Sequence, residues 1–384
     1  MSCSRMAATM RRCSRNTAPR RARLGPIGAW AWAAMSLTGC LSASRARRDA
    51  PSHPYSNLPG TAKAGTDSGV MATATRTAIL VLGMHRSGTS ACAGVLARAG
   101  AAAPHGLMAG DAHNELGYYE SLPFMHLHNT LLESAGSRWD DWRAFPPGWF
   151  ASPAAAEFRA QARALLESEF AAAQLFVLKD PRICRFAPFW LTVLAEANIA
   201  PRIVIPFRAP REVARSLAVR DRFAPETGLL LWLRHVLDAE RATRGLPRAF
   251  VAMDDLMADW RATLARIGRQ TKLVWPAPDG AAIDAFLAPA LKHHTLAPDR
   301  RGGADWSARV HARLHQFVRT PNAAAAKTGL DRIAAEFDQA CALFGPLAAP
   351  PAPAADPLPA LDAGARKLRH RLEGLRAGLA AAPD

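Results

Sequence analysis

A chain of 384 residues with 49% hydrophobic side chains can bury a sizeable core, and its layout reads as one large domain with tails. The formal net charge is +16, but residues 1–70 hold eleven Lys/Arg against two Asp/Glu and so carry +9 of it. With no basic surface interleaved with aromatics, that charge does not indicate DNA or RNA binding. The six cysteines, at positions 3, 13, 40, 92, 184 and 341, form no C-x-x-C pair and no Cys/His cluster of metal spacing, which excludes a zinc site and indicates reduced, mostly buried thiols.

In chain order, residues 1–75 read as a basic tail without a packable pattern. Within it, Ile27 to Leu41 follows an arginine-rich stretch as the apolar part of a secretory signal would, and it is too short to span a bilayer. Leu37-Thr38-Gly39-Cys40 is similar to the lipobox of a bacterial lipoprotein, which would tie the chain to a membrane through Cys40. The competing expectation starts the native protein at Met71, just ahead of the first strand, and leaves it in the cytoplasm.

From residue 76, short apolar strands alternate with helical periodicity, the pattern of an α/β fold whose central parallel sheet is flanked by helices. A strand is expected near Thr77–Leu82, a helix over Thr89–Ala99, and an irregular Gly-, His-, Pro- and Trp-rich region over 100–150. Helix Ala154–Ala173, strand Gln174–Lys179, helix Phe186–Ala197 and strand Arg202–Phe207 follow. After them come helices Pro210–Arg220 and Glu226–Gly245, strand Arg248–Met253 and helix Asp255–Gly268. Beyond Gln270 the pattern weakens, although His311–Phe317 and Ala323–Leu343 read as helical. The folded domain is drawn over 76–345, and 346–384 form a Pro/Ala linker with a basic helix.

The joint between the first strand and the first helix has the build of a phosphate cradle. Gly83 and Gly88 bracket a loop whose backbone N–H groups can converge on an anion, and Thr89 and Ser90 open a helix whose positive dipole end adds to the attraction. The G-x-x-x-x-G spacing matches a nucleotide loop, but Thr89 stands where its lysine belongs and the positive charge has moved to Arg86. That variant suits a nucleotide with a different 5′ group, such as a phosphosulfate. A second phosphate candidate is Arg208 with Ser216, one at a strand end and the other two turns into the next helix, both able to face the crevice above an open sheet.

These residues resemble the sulfotransferases. Gly83 to Ala91 is similar to their 5′-phosphosulfate loop, especially the branch with R-S-G-[ST]-[ST], and Arg208 with Ser216 reproduces their 3′-phosphate pair. K-D-P-R at Lys179–Arg182, N-x-x-G-Y-x-E at Asn114–Glu120 and V-A-M-D-D-L at Val251–Leu256 resemble a bacterial subgroup of the same enzymes. The resemblance covers roughly 76–300 and implies a P-loop-like three-layer fold. It also implies transfer of a sulfuryl group, without a metal, from 3′-phosphoadenosine 5′-phosphosulfate (PAPS) to an acceptor hydroxyl on a carbohydrate, glycolipid or other hydroxylated metabolite.

Carried onto this chain, the resemblance gives Arg86 the charge on the departing 5′-phosphate, and Ser87, Gly88, Thr89 and Ser90 the rest of that group. Arg208 and Ser216 take the 3′-phosphate, and Lys179 adds a second positive charge near the sulfuryl group. Pro181 occupies the place of the cytosolic branch's histidine base, which leaves Glu120, then Glu115, then His113 as base candidates. Ala91 replaces that branch's adenine-stacking tryptophan, so the partner of adenine is open. Trp139, Trp142 and Trp149 either stack on a sugar ring or fill the core. Two other functions compete: a P-loop kinase or NTPase with Asp180 as its magnesium ligand, and a non-catalytic surface lipoprotein that binds an anionic glycan.

Overall fold

Four short runs of β-favouring residues build an all-parallel sheet in the order β2-β1-β3-β4, with β1 (Arg76–Val81), β2 (Leu175–Lys179), β3 (Ile199–Phe207) and β4 (Arg248–Ala252). The computed structural model describes residues 76–110, 114, 117–276, 278–287 and 305–345. The basic tail with Cys40, the Pro/Ala linker and the base candidates Glu115 and His113 lie outside the described residues.

Successive side chains of a strand point to opposite faces, so each apolar run divides between two cores. Ala78, Leu80, Phe176, Leu178, Ile203, Ile205 and Phe250 join one, while Ile79, Val81, Val177, Val204, Ala249 and Val251 join the other. Helices cover both faces, which is why the strands read as nearly continuous apolar runs. In chain order the helices are α1 (Thr89–Arg98), α2 (Leu122–Ser134), α3 (Pro153–Phe170), α4 (Ala187–Glu196), α5 (Pro210–Asp221) and α6 (Pro225–Ala242). They continue with α7 (Met253–Ala258), α8 (Trp260–Thr271), α9 (Gly280–Phe286), α10 (Trp306–Arg319) and α11 (Ala324–Phe344). α1, α8 and α9 pack on the Ile79 face; α2 to α6, α10 and α11 pack on the Leu80 face.

The structure corrects the expected elements in four places. The region 100–150 contains α2, whose start is fixed by Ser121 accepting from the Phe124 N–H and by a proline in the first turn. β3 begins at Ile199 rather than Arg202, because Arg76–Val81 of β1 pairs with Ile199–Val204 and extends it backward. The helix expected over Asp255–Gly268 is two helices, broken where Asp259 caps the second by accepting from the Ala262 N–H. α9 was not expected at all, and its core contact rests on Ile283 and Phe286. None of the helices among the described residues is long and apolar enough to cross a membrane.

The register sets the strand ends level, Val81 opposite Lys179 and Phe207 opposite Ala252. The chain leaves β1 toward β2 and leaves β3 toward β4, so β1 and β3 are neighbours whose connections run opposite ways. Ligands of open α/β sheets bind in the crevice beyond such a switch point. The glycine loop and Arg208 both emerge there.

At the opposite end, Arg248 starts β4 fully buried, donating to Glu240 Oε1 (3.0 Å), the Glu240 carbonyl (2.8 Å) and the Pro321 carbonyl (2.9 Å). Truncating one partner of such a pair leaves the other charge buried with less to hold it. Arg248→Ala is expected to destabilise the fold by about 3–5 kcal/mol, read as a lower urea midpoint; a change below about 1 kcal/mol would show that solvent reaches this end of the sheet.

Candidate active site

The cradle begins where the Leu82 N–H donates to the Val204 carbonyl (2.9 Å), holding the end of β1 against β3. Gly83 follows with no room for a side chain: a Cβ there would lie 2.7 Å from the Pro206 carbonyl oxygen. Ser87 N–H closes a turn onto the Met84 carbonyl (3.1 Å). Gly88 enters α1 with φ +83°, and a Cβ there would lie 2.1 Å from Met253 Sδ. No side chain caps the first turn of α1, so its N–H groups remain directed into the loop.

Arg86 is held at φ +67°, a left-handed conformation that a bulky side chain rarely takes. Its Nε donates to Ser216 Oγ at 2.8 Å, so the structure brings the loop cation and the serine of the second phosphate candidate into direct contact. Burial, together with the nearby charges of Arg220 and Arg208, brings the Arg86 pKa below its ordinary value. Arg208, at the end of β3, donates from Nε to Glu212 Oε2 at 2.5 Å. Three guanidinium groups therefore face one region.

The neighbouring charges are arranged differently. Lys179, at the end of β2, is buried and donates to Glu120 Oε1 (2.6 Å), the Tyr118 carbonyl (2.9 Å) and Ser90 Oγ (3.2 Å). An ammonium has three protons, and these three acceptors match them. Ser90 passes its own proton to the Tyr118 carbonyl (3.0 Å), and Asn114 Nδ2 donates to Ser90 Oγ (3.3 Å) and to the Gly117 carbonyl (2.7 Å). Glu120 is 4% exposed, with its second oxygen 3.5 Å from Arg182 Nη1. Positive φ at Gly117 (86°) and Tyr119 (54°) folds the segment back so that both Tyr118 and Glu120 reach the lysine.

Asp180 continues the chain of charges. One carboxylate oxygen accepts from the Arg182 N–H (2.9 Å) and Nη1 (3.0 Å), and the other lies 2.8 Å from His128 Nδ1. Trp190 Nε1 donates to His128 Nε2 (3.0 Å), so the proton of the neutral ring sits on Nδ1, toward Asp180. Burial pushes the Asp180 carboxyl up, but Arg182 and His128 outweigh it and hold the group well below its ordinary range. A magnesium ligand needs an oxygen to spare, and here both are engaged.

Of the remaining predicted residues, Ser87 is fully buried, and its Oγ has no hydrogen-bond partner among the described residues. Thr89 is buried at the start of α1. Trp149 belongs to the core, and Trp142 packs at its margin. Trp139 is half-buried and stands beside the loop, 4.9 Å from His85 edge to face, 5.7 Å from Phe223, and with the Arg220 guanidinium 5.7 Å over its ring. Sequence reading singled out neither His85 nor Arg220. Arg220 carried a signal, since it lies four residues after Ser216 and so shares its helical face; the contact of His85 with Trp139 spans a long stretch of chain and carried none.

No family model and no curated relative matches the sequence. Among solved structures, the chain is similar to the sulfotransferase domain of the Synechococcus olefin synthase, at 20% identity over 68% of this chain and 95% of that one, with a TM-score of 0.34. It is also similar to the sulfotransferase domain of the curacin biosynthetic pathway (16% identity, 64% and 98% covered, TM-score 0.36). A sulfotransferase of Mycobacterium tuberculosis is similar at 16% identity, with 55% and 71% covered and a TM-score of 0.33.

The geometry makes Glu120 the counterion of two buried cations. Glu120→Ala is expected to lower stability by about 3–5 kcal/mol, measured by denaturant unfolding. A variant that unfolds like the parent would show the ion pair to be dispensable.

Proposed function

We propose that the chain transfers a sulfuryl group from PAPS to an acceptor hydroxyl, using the crevice between β1 and β3. The observation that carries this reading is the hydrogen bond between Arg86 and Ser216, which joins a lysine-free phosphate loop to a second phosphate-type site. A donor with phosphate groups at both its 5′ and 3′ positions asks for two such sites, whereas ATP asks for one. The physical chemistry of the site fits a polyanion: Arg86 stands near Arg220 and Arg208, whose charges lower its pKa, and the buried Ser87 hydroxyl has a hydrogen bond still to make.

In this reading the loop amides and Arg86 face the 5′ end, where negative charge grows as the sulfur–oxygen bond breaks. A fixed cation with pre-aimed donors stabilises that charge more than the ground state. Arg208 and Ser216 would hold the 3′-phosphate, with Arg208 drawn from Glu212 to a more highly charged partner. The P-loop kinase alternative loses ground, because Asp180 is engaged by His128 and Arg182. The half-buried Trp139 beside the loop offers a ring surface to a carbohydrate or other hydroxylated acceptor. Since PAPS is a cytosolic metabolite, we assign the activity to the cytoplasm.

The desulfated product PAP should bind the folded chain and stabilise it by about 2.7 kcal/mol at one hundred times its Kd, seen as a rise in Tm. AMP, which lacks the 3′-phosphate, should give a smaller rise at the same concentration. Arg208→Ala should remove that difference, with a loss of about 1.5–3 kcal/mol in PAP binding. Arg86→Ala should lower turnover by roughly 100–1,000-fold. Equal shifts with PAP and AMP in the parent protein would overturn the donor assignment.

A further inference from the structure

We propose that His85 takes the proton of the acceptor hydroxyl as the sulfuryl group moves. The inference rests on the sulfotransferase reading above and supplies the base which that reading lacks.

A base is needed close to Arg86, and Glu120 is a poor one. Its carboxylate lies 2.6 Å from Lys179 and 3.5 Å from Arg182. Protonating it would strand the buried Lys179 charge, an unfavourable exchange. His85 is the residue next to Arg86 in the loop. The two side chains leave the backbone toward different walls, Arg86 to Ser216 at 2.8 Å and His85 to Trp139 at 4.9 Å. A sulfur atom held by Arg86 would therefore have the imidazole on its Trp139 side.

The ring also has a hydrogen bond to make. His85 Nε2 is buried and has no hydrogen-bond partner among the described residues. A buried nitrogen in that state is costly, and in the tautomer that leaves its lone pair on Nε2 an acceptor hydroxyl would satisfy it. Burial separates this nitrogen from bulk water, while the residue as a whole is half-buried.

The surrounding charges keep the ring neutral. Arg220 reaches it from α5, Arg182 and Asp180 from the segment after β2, and His235 from α6. Burial, then Arg220 and Arg182, lower the His85 pKa well below 6.5, with Asp180 opposing them. His235 is itself pushed down to about 3, by burial and by Arg185, and so brings no charge at neutral pH. A neutral imidazole can accept a proton, and the same arginines drive the proton off again after turnover.

The step balances as follows. The acceptor oxygen forms a bond to sulfur, its proton passes to His85, and the bond from sulfur to the 5′-phosphate oxygen breaks with its electron pair leaving on the bisphosphate. The products are the sulfate ester, PAP and an imidazolium that returns its proton to solvent.

The test uses the full chain, labelled PAPS and three probe acceptors: methyl glucoside, phenol and 4-nitrophenol, the last partly ionised at neutral pH. His85→Ala should lower transfer to methyl glucoside and phenol by roughly 100- to 10,000-fold, lower transfer to 4-nitrophenol at least tenfold less, and leave the PAP-induced rise in Tm unchanged. In the parent the rate should fall on acidification along a limb below pH 6.5, because the base must be unprotonated. That limb should vanish in the variant, and added imidazole should restore turnover. His85→Gln keeps the size of the ring and carries the same test if the alanine variant fails to fold. Equal losses with all three probes, an unchanged acid limb, or a parent that binds PAP yet transfers to none of them would overturn the proposal. A parent that shows no PAP-induced shift would instead overturn the donor reading.

Discussion

Lys179 brings an ammonium to the buried end of β2, and the architecture around the crevice depends on what it finds there. Its three protons go to Glu120, to the Tyr118 carbonyl and to Ser90, three groups from two other parts of the chain. Taking two charges out of water costs several kcal/mol apiece, and the attraction between them recovers this only when the remaining hydrogen-bonding capacity is also met. Here it is met, by Arg182 on the carboxylate and by the serine and carbonyl on the ammonium. The gain is one of arrangement more than of net stability: α1, the Asn114–Glu120 segment and the end of β2 are fixed to one another at a single point. The same logic runs on through Asp180, His128 and Trp190, where each polar atom of a deeply buried chain has a partner.

Above this settled layer lies one that is not settled. Burial and the charges of Arg220 and Arg208 lower the Arg86 pKa, Arg86 is bent into a left-handed backbone, and the Ser87 hydroxyl and the His85 Nε2 are buried with no hydrogen-bond partner among the described residues. Each of these features costs stability, and together they mark the glycine loop as the least settled part of the crevice. The two layers therefore differ in how fully their polar groups are satisfied. Lys179 and Glu120, which by residue type alone would pass for catalytic groups, satisfy each other; the strained and under-bonded residues are those of the glycine loop.

The sequence made short-range features legible. The glycine loop, the strand–loop–helix order and the pair Arg208 and Ser216 are all set by spacings of a few residues, and backbone geometry converts such spacings directly into position. α2 was hidden because its apolar positions sit among histidines and follow a glycine-rich stretch, so its periodicity is weak although Ser121 and Pro123 cap it well. Glu120 was legible as a carboxylate near the site but not as the partner of Lys179, since 59 residues separate them. The cluster of His85, Trp139, Phe223 and Arg220 joins three separate stretches of chain and could be recognised only once the sheet had brought them together.

The position of Trp139 has its own physical cause. The loop that carries it has no regular secondary structure, yet the fully buried Arg185 side chain donates to the carbonyls of Arg138, Asp141 and Arg143, the last at 2.7 Å. Arg234 adds a bond to the Trp142 carbonyl at 2.9 Å, and Arg143 pairs with Asp141 at 2.9 Å within the loop. Planar guanidinium groups present their donors in a fixed fork, so each fixes a direction as well as a distance. Two arginines from the 181–186 turn and α6 thus do for this irregular loop what a ladder of hydrogen bonds does for a strand. They hold an aromatic wall at a set distance from the glycine loop while leaving its outer face irregular, so that the position of this wall is fixed although the loop has no regular backbone pairing.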